Sequence, residues 1–136
     1  MDGIGKCGQC GKLFPYDLFH SGFGDFAYAY CDRCGMLSIL DGWKPPEGVK
    51  LTIHRMIAPD IEPLLSPCPC GGQFRAGASP RCPHCGSRLS AEEATTWIEA
   101  NAPGTARGWR WQRNWSGIYA ISIERPFVRD NWKGAG

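Results

Sequence analysis

The sequence predicts a mainly β protein with one short helix, built as two four-cysteine modules followed by a C-terminal β-meander. Three observations predict it. The 136 residues include 18 glycines and 11 prolines, which favours short strands and turns over long helices. The eight cysteines fall into four close pairs. One stretch alone, after Ser90, combines helical periodicity with an N-terminal cap. A chain of this size with a modest core commonly relies on a staple, either disulfide or metal.

The first unit, residues 1–42, opens with Cys7-Gly8-Gln9-Cys10-Gly11. Leu13 to Phe19 and the alternating Phe26-Ala27-Tyr28-Ala29-Tyr30 suit strands. The latter runs into Cys31-Asp32-Arg33-Cys34-Gly35, and Met36 to Leu40 forms a third strand. Short antiparallel strands joining two ligand-bearing turns make a ribbon. Residues 43–66 connect the units. Val49, Leu51, Ile53 and Ile57 alternate with Lys50, Thr52, His54 and Met56, the pattern of a half-buried strand ending at Pro59. Asp60 is placed to cap a short helical turn through Leu65. The second cysteine unit, 67–88, holds Cys68-Pro69-Cys70-Gly71-Gly72 and Cys82-Pro83-His84-Cys85-Gly86.

Residues 89–136 begin with the helix. Ser90 and Glu93 have capping-box spacing, and Leu89 and Ala94 are placed as a hydrophobic staple. Ala91, Ala94, Trp97 and Ile98 supply one apolar stripe, and the helix should stop near Asn101, before Pro103-Gly104. The tail reads as three strands. Trp109, Trp111, Arg113 and Trp115 share one parity; Tyr119, Ile121 and Ile123 share a face; Phe127 to Asp130 pair back. The tryptophans are expected in the core, because a small sheet needs large side chains to bury.

The cysteine spacing points to metal. Grouped by proximity along the chain, the sites are Cys7/Cys10/Cys31/Cys34, with the pattern C-x2-C-x20-C-x2-C, and Cys68/Cys70/Cys82/Cys85, with C-x-C-x11-C-x2-C. Four thiolates suit tetrahedral Zn2+, giving two ions per chain. A glycine follows the second cysteine of every pair, at Gly11, Gly35, Gly71 and Gly86. There it lets backbone N–H groups turn toward the sulfurs, something a disulfide framework does not require. Disulfides also need an oxidising compartment. The start of the chain lacks the basic and apolar regions of a signal peptide, so a cytoplasmic address is expected. Redox chemistry at a C-x-x-C pair needs that pair to open a helix, and none here does so directly. His84 between two cysteines is expected to point outward, and His20 to be a polar loop residue.

These knuckles resemble those of zinc-ribbon and rubredoxin-like proteins over roughly 7–40 and 67–88. The resemblance implies a ribbon around each ion and no particular activity. Rubredoxin binds iron, but the long spacing of the first site and the C-x-C of the second depart from its pattern. The tail, with Trp115-Ser116-Gly117-Ile118-Tyr119 and Asp130-Asn131-Trp132, is similar to tails of small uncharacterised bacterial proteins, some encoded beside toxins.

No enzyme is expected. Four cysteines close each coordination shell, whereas a catalytic zinc keeps one position open. The sequence has no H-E-x-x-H, phosphate-cradling glycine loop or nucleophile elbow. His54 beside Arg55 reads as a solvent-facing polar position, and Asp130 as turn chemistry. The first expectation is a protein-interaction module, an adaptor or immunity-type inhibitor, with Phe19, Phe23, Trp43 or Trp132 as anchors. The second is nucleic-acid binding. The net charge is only +2, but Arg107, Arg110, Arg113, Arg125, Arg129 and Lys133 concentrate positive charge in the Trp-rich tail. No membrane partner is expected, since no apolar run is long enough to span a bilayer, and no small-molecule substrate is expected either.

Overall fold

A computed structural model describes residues 2–20, 24–104, 115–117, 119–123 and 127–134. Among them are seven strands in two sheets and one α-helix, so the chain is mainly β. In chain order the elements are β1 (Gly3–Lys6), β2 (Leu13–His20), β3 (Phe26–Cys31), β4 (Leu37–Asp41), a 3-10 helix (Pro59–Leu64), β5 (Phe74–Arg75), α1 (Ala91–Asn101), β6 (Tyr119–Ile123) and β7 (Val128–Arg129). No helix among the described residues is long and apolar enough to cross a membrane.

One sheet has the order β1-β2-β6 and the other β5-β3-β4-β7. The predicted strands of the first unit form, but β2 and β3 lie in different sheets instead of joining as one ribbon. Each cysteine turn of that unit instead closes its own hairpin, β1-β2 or β3-β4. Strand β3 is buried along its whole length. An alternating aromatic-small sequence suits this place, because the tyrosines fill space on one face and the alanines permit close packing on the other.

The expected strand over 49–57 is absent. His54 takes a left-handed backbone (φ 67°), which interrupts any extended run. Only the end of the segment, at Met56, pairs with β3 through an isolated parallel bridge to Tyr28. His54 N and Tyr28 N donate to Phe26 O (2.9 Å) and Arg55 O (3.3 Å), covering the half of the β3 edge that the two-residue β5 cannot reach. The helical turn after Pro59 does form, with Ala58 as its N-cap in place of Asp60 and Pro59 at the first helical position.

Helix α1 matches its sequence signals. The Ser90–Glu93 capping box is complete, and Ala91, Ala94, Trp97 and Ile98 are its buried residues. Its seat is β1, where glycines occupy both inward positions. A Cβ on Gly5 would lie 2.8 Å from the Trp97 ring, so glycine allows the indole to rest on the strand. Trp97 meets Phe14 edge-on at 5.4 Å and Tyr16 at 5.1 Å. The Asn101 side chain closes the free edge of β1, with its Nδ2 donating to Ile4 O (2.9 Å) and its Oδ1 accepting from Ile4 N (3.3 Å).

The described part of the tail is not a meander. Strand β6 pairs with β2, while β7 runs parallel to β4 in the other sheet. The reason lies in β3. The Tyr28 hydroxyl shares its proton between Trp115 O (2.6 Å) and Gly117 O (2.7 Å) and accepts from Gly117 N (2.8 Å). The Tyr30 hydroxyl accepts from Ile121 N (2.9 Å), satisfying the outer edge of β6. These bonds draw the tail across the core, where pairing between its own strands could not reach. Trp115 and Trp132 are buried, as expected of core tryptophans, so Trp132 is not an exposed anchor. Trp109 and Trp111 lie outside the described residues.

Candidate metal centres

The structure brings the eight cysteines together as two sets of four, but not by proximity in the chain. The sets are Cys7/Cys10/Cys82/Cys85 and Cys31/Cys34/Cys68/Cys70, in each of which the sulfurs lie within 4.8 Å of one another. This corrects the grouping Cys7/Cys10/Cys31/Cys34 and Cys68/Cys70/Cys82/Cys85. The first and fourth pairs make an outer centre, and the second and third an inner centre nested inside it. The physical reason is hairpin direction. Each close pair sits at the tip of its own hairpin or loop, and β2 and β3 belong to different sheets, so the tips at Cys7 and Cys31 are held apart.

Each pair is carried by the same local device. Cys7 N donates to Lys12 O (3.1 Å) and Gly11 N to Cys7 O (2.9 Å). Cys31 repeats this with Met36 and Gly35 (2.9 and 3.0 Å), and Cys82 with Ser87 and Gly86 (2.9 and 2.9 Å). The C-x-C pair is a version one residue shorter, with Cys68 N to Gly72 O (2.9 Å) and Gly71 N to Cys68 O (2.8 Å). All four glycines after the second cysteine have φ between 72° and 93°. The curled backbone then aims amides at sulfur: Gln9 N to Cys7 Sγ, Arg33 N to Cys31 Sγ, Gly72 N to Cys70 Sγ and His84 N to Cys82 Sγ, each at 3.4 Å.

The cross-pair sulfur separations are 3.7 Å for Cys7–Cys85 and Cys10–Cys82, 3.5 Å for Cys31–Cys70 and 3.6 Å for Cys34–Cys68. A tetrahedron with bonds of about 2.3 Å has edges of about 3.8 Å, so the sulfurs fit one ion per set. Disulfide sulfurs would be about 2 Å apart, and all eight cysteines are free.

The thiols of each set are unevenly poised for ionisation. In the outer set burial raises Cys7, but hydrogen bonds from Ser87 and from backbone amides outweigh it and hold the thiol down at about 6. Burial pushes Cys82 up to about 11. In the inner set burial pushes Cys68 and Cys31 up. Cys70, also raised by burial, is brought down to about 7 by the Gly72 amide and its neighbouring thiols. Some members of each set thus ionise readily and others resist. A cation held among the four sulfurs would stabilise all four thiolates.

Neither His84 nor His20 belongs to either sulfur set. His84 is exposed, with Nε2 2.9 Å from Leu13 O, tying the fourth knuckle to the first. His20 packs edge-on against Tyr119 at 4.3 Å. His54 lies 3.3 Å from Asp25, and Asp130 accepts from Asp41 N at 2.8 Å. Of the anchor candidates, Trp43 is 75% exposed, Phe19 is half-buried against Phe127 at 4.8 Å, and Phe23 lies outside the described residues. Of the basic candidates, Arg107, Arg110, Arg113 and Arg125 lie outside them too. Arg129 lines a cleft with Trp43, and Lys133 lines a separate one with Arg75. Sequence reasoning missed Arg33 and Arg81, which reach knuckle carbonyls. Their only signal was position, one inside a knuckle and one directly before Cys82.

No curated protein and no solved structure matches this chain. Residues 4–91 match a family described as a domain of unknown function (DUF8255). That segment is more than half of the chain and contains all eight cysteines. The chain belongs to the DUF8255 family, and the paired knuckles of its two candidate metal centres lie wholly within the family's domain.

Proposed function

We propose that the protein is a structural zinc protein, with two Zn2+ per chain, that serves as a protein-interaction module of adaptor or immunity type in the cytoplasm. The observation that carries the metal role is the pair of four-sulfur tetrahedra. Each has its ligand positions filled by cysteine, leaving none for water or substrate, as in structural sites. Zinc is the assignment because a closed tetrahedron of thiolates suits it, with iron the competing outcome. Elemental analysis with native mass spectrometry should find two zincs per chain. Iron, or fewer than two ions, would overturn the assignment.

The interaction role is supported by Trp43. An indole 75% exposed beside an open cleft lined by Leu18, Phe19 and Arg129 has the chemistry of an interface anchor. A partner recognised there should bind with weak salt dependence and be lost in Trp43→Ala. Binding to single-stranded oligonucleotides that collapses steeply with salt would instead establish the nucleic-acid reading through the basic tail.

A further inference from the structure

We propose that the two metal centres load cooperatively, with Arg81 as the residue that couples them, and that the inner centre closes first. The inference rests on the reading of both centres as metal sites.

Arg81 stands between the centres. Its Nη1 donates to Gly86 O (2.9 Å), in the knuckle that supplies Cys82 and Cys85 to the outer centre. Its Nη2 donates to Asp32 O (2.9 Å), in the knuckle that supplies Cys31 and Cys34 to the inner centre. One planar guanidinium therefore needs both knuckles in their metal-holding conformation to satisfy both donors. The backbone reinforces this. A Cβ on Gly35, at the inner knuckle, would come 2.5 Å from Arg81 N. Arg81 also bridges to Arg88, framing the outer knuckle. The two knuckles thus pack backbone to backbone and share a side chain.

Nesting sets the order. Closing the inner centre joins Cys34 to Cys68, while closing the outer one joins Cys10 to Cys82 across a loop about twice as long. Loop-closure entropy favours the inner closure by about threefold. Once it has closed, the span left for the outer centre is roughly halved, which helps the second ion by about threefold again. The two hydrogen bonds of Arg81 add to that factor. Because the coupling is a free energy, each ion helps the other equally.

The test is a zinc titration of the full chain in a metal buffer, read by native mass spectrometry. Independent sites of equal affinity place about half of the chains in the one-zinc form at half-saturation. The wild type is expected to hold under about a quarter there, since strong coupling empties the intermediate. Arg81→Met should raise it to about two-fifths, the level loop closure alone leaves. Arg81→Lys keeps the charge but offers one nitrogen for two carbonyls, and should behave like Arg81→Met if the bridge matters. It also serves as the variant to read if the methionine chain fails to fold. Alkylation of the one-zinc wild-type form should label Cys7, Cys10, Cys82 and Cys85 about three times more than the other four. A one-zinc population near half in the wild type, no change in both variants, or the opposite labelling would overturn the proposal. Failure to bind two ions at all would instead overturn the metal reading on which it stands.

Discussion

A single glycine carries much of each knuckle, and the four are not equivalent. Gly11 and Gly86 have open space where a Cβ would go, so alanine there meets only the left-handed backbone. That costs on the order of 1 kcal/mol. Gly35 has the same backbone, but its Cβ would also strike Arg81 N. Gly35→Ala should therefore lose more stability than Gly11→Ala in matched denaturant titrations of the zinc-loaded protein. The tyrosines of β3 allow a sharper prediction. Removing the Tyr28 hydroxyl takes away its bonds to the buried backbone of Trp115 and Gly117. Tyr28→Phe should cost about 1–3 kcal/mol in chemical denaturation. Burial raises the pKa of both Tyr28 and Tyr30 above the usual phenol value. The unfolded chain therefore loses these protons first as pH rises. Stability is fully present below about pH 10 and should fall above it, visible as a declining melting temperature.

The elements differ in how much they depend on their own residues. Helix α1 has its stripe within its 11 residues and its cap and stop directly beside them, and its observed form follows them. Ser90→Ala should lower stability by about 1 kcal/mol, with an unchanged denaturant slope and two ions still bound. Strands β3 and β4 were equally legible, because their apolar runs are flanked by knuckle and turn. The segment 49–57 shows the opposite case. Its alternation of apolar and polar residues is real, and Met56 and Ile57 are buried. Yet the left-handed backbone at His54 breaks the ladder, and no periodicity in the sequence reports a backbone angle. The described tail strands, β6 and β7, do not pair with each other for another reason. Their alternation was consistent with any partner, and partner choice was made by β2, β4 and the two tyrosine hydroxyls.

At the scale of the molecule, the nested pairing has a decisive test. Cys10→Ser with Cys85→Ser should remove one zinc and spare the other, since both residues belong to the outer centre. Cys10→Ser with Cys34→Ser should remove both. Pairing by proximity requires the Cys10/Cys34 double variant to keep one ion, so metal counting separates the two arrangements. Chelation should unfold much of the structure, because the centres tie the first hairpin to residues 82–85 and the β3–β4 turn to residues 68–70, and metal binding contributes folding free energy directly. Full near-UV circular dichroism after chelation would contradict that dependence.

The sequence by itself determined that this chain is mainly β with one short helix, that its eight cysteines come in four pairs suited to metal, and where each knuckle turns. Those features are local: a cysteine pair and the glycine after it dictate a curl whatever lies further along the chain. Only the tertiary structure decided which pair meets which. The four knuckles are near-identical in chemistry, and every pairing of them could make a tetrahedron. The choice fell to the strands that aim the hairpin tips, to the glycine-lined face of β1 that seats Trp97, and to the tyrosine hydroxyls that pull the tail across β3. These are contacts between residues far apart in the chain, and spacing along the sequence carries no record of them.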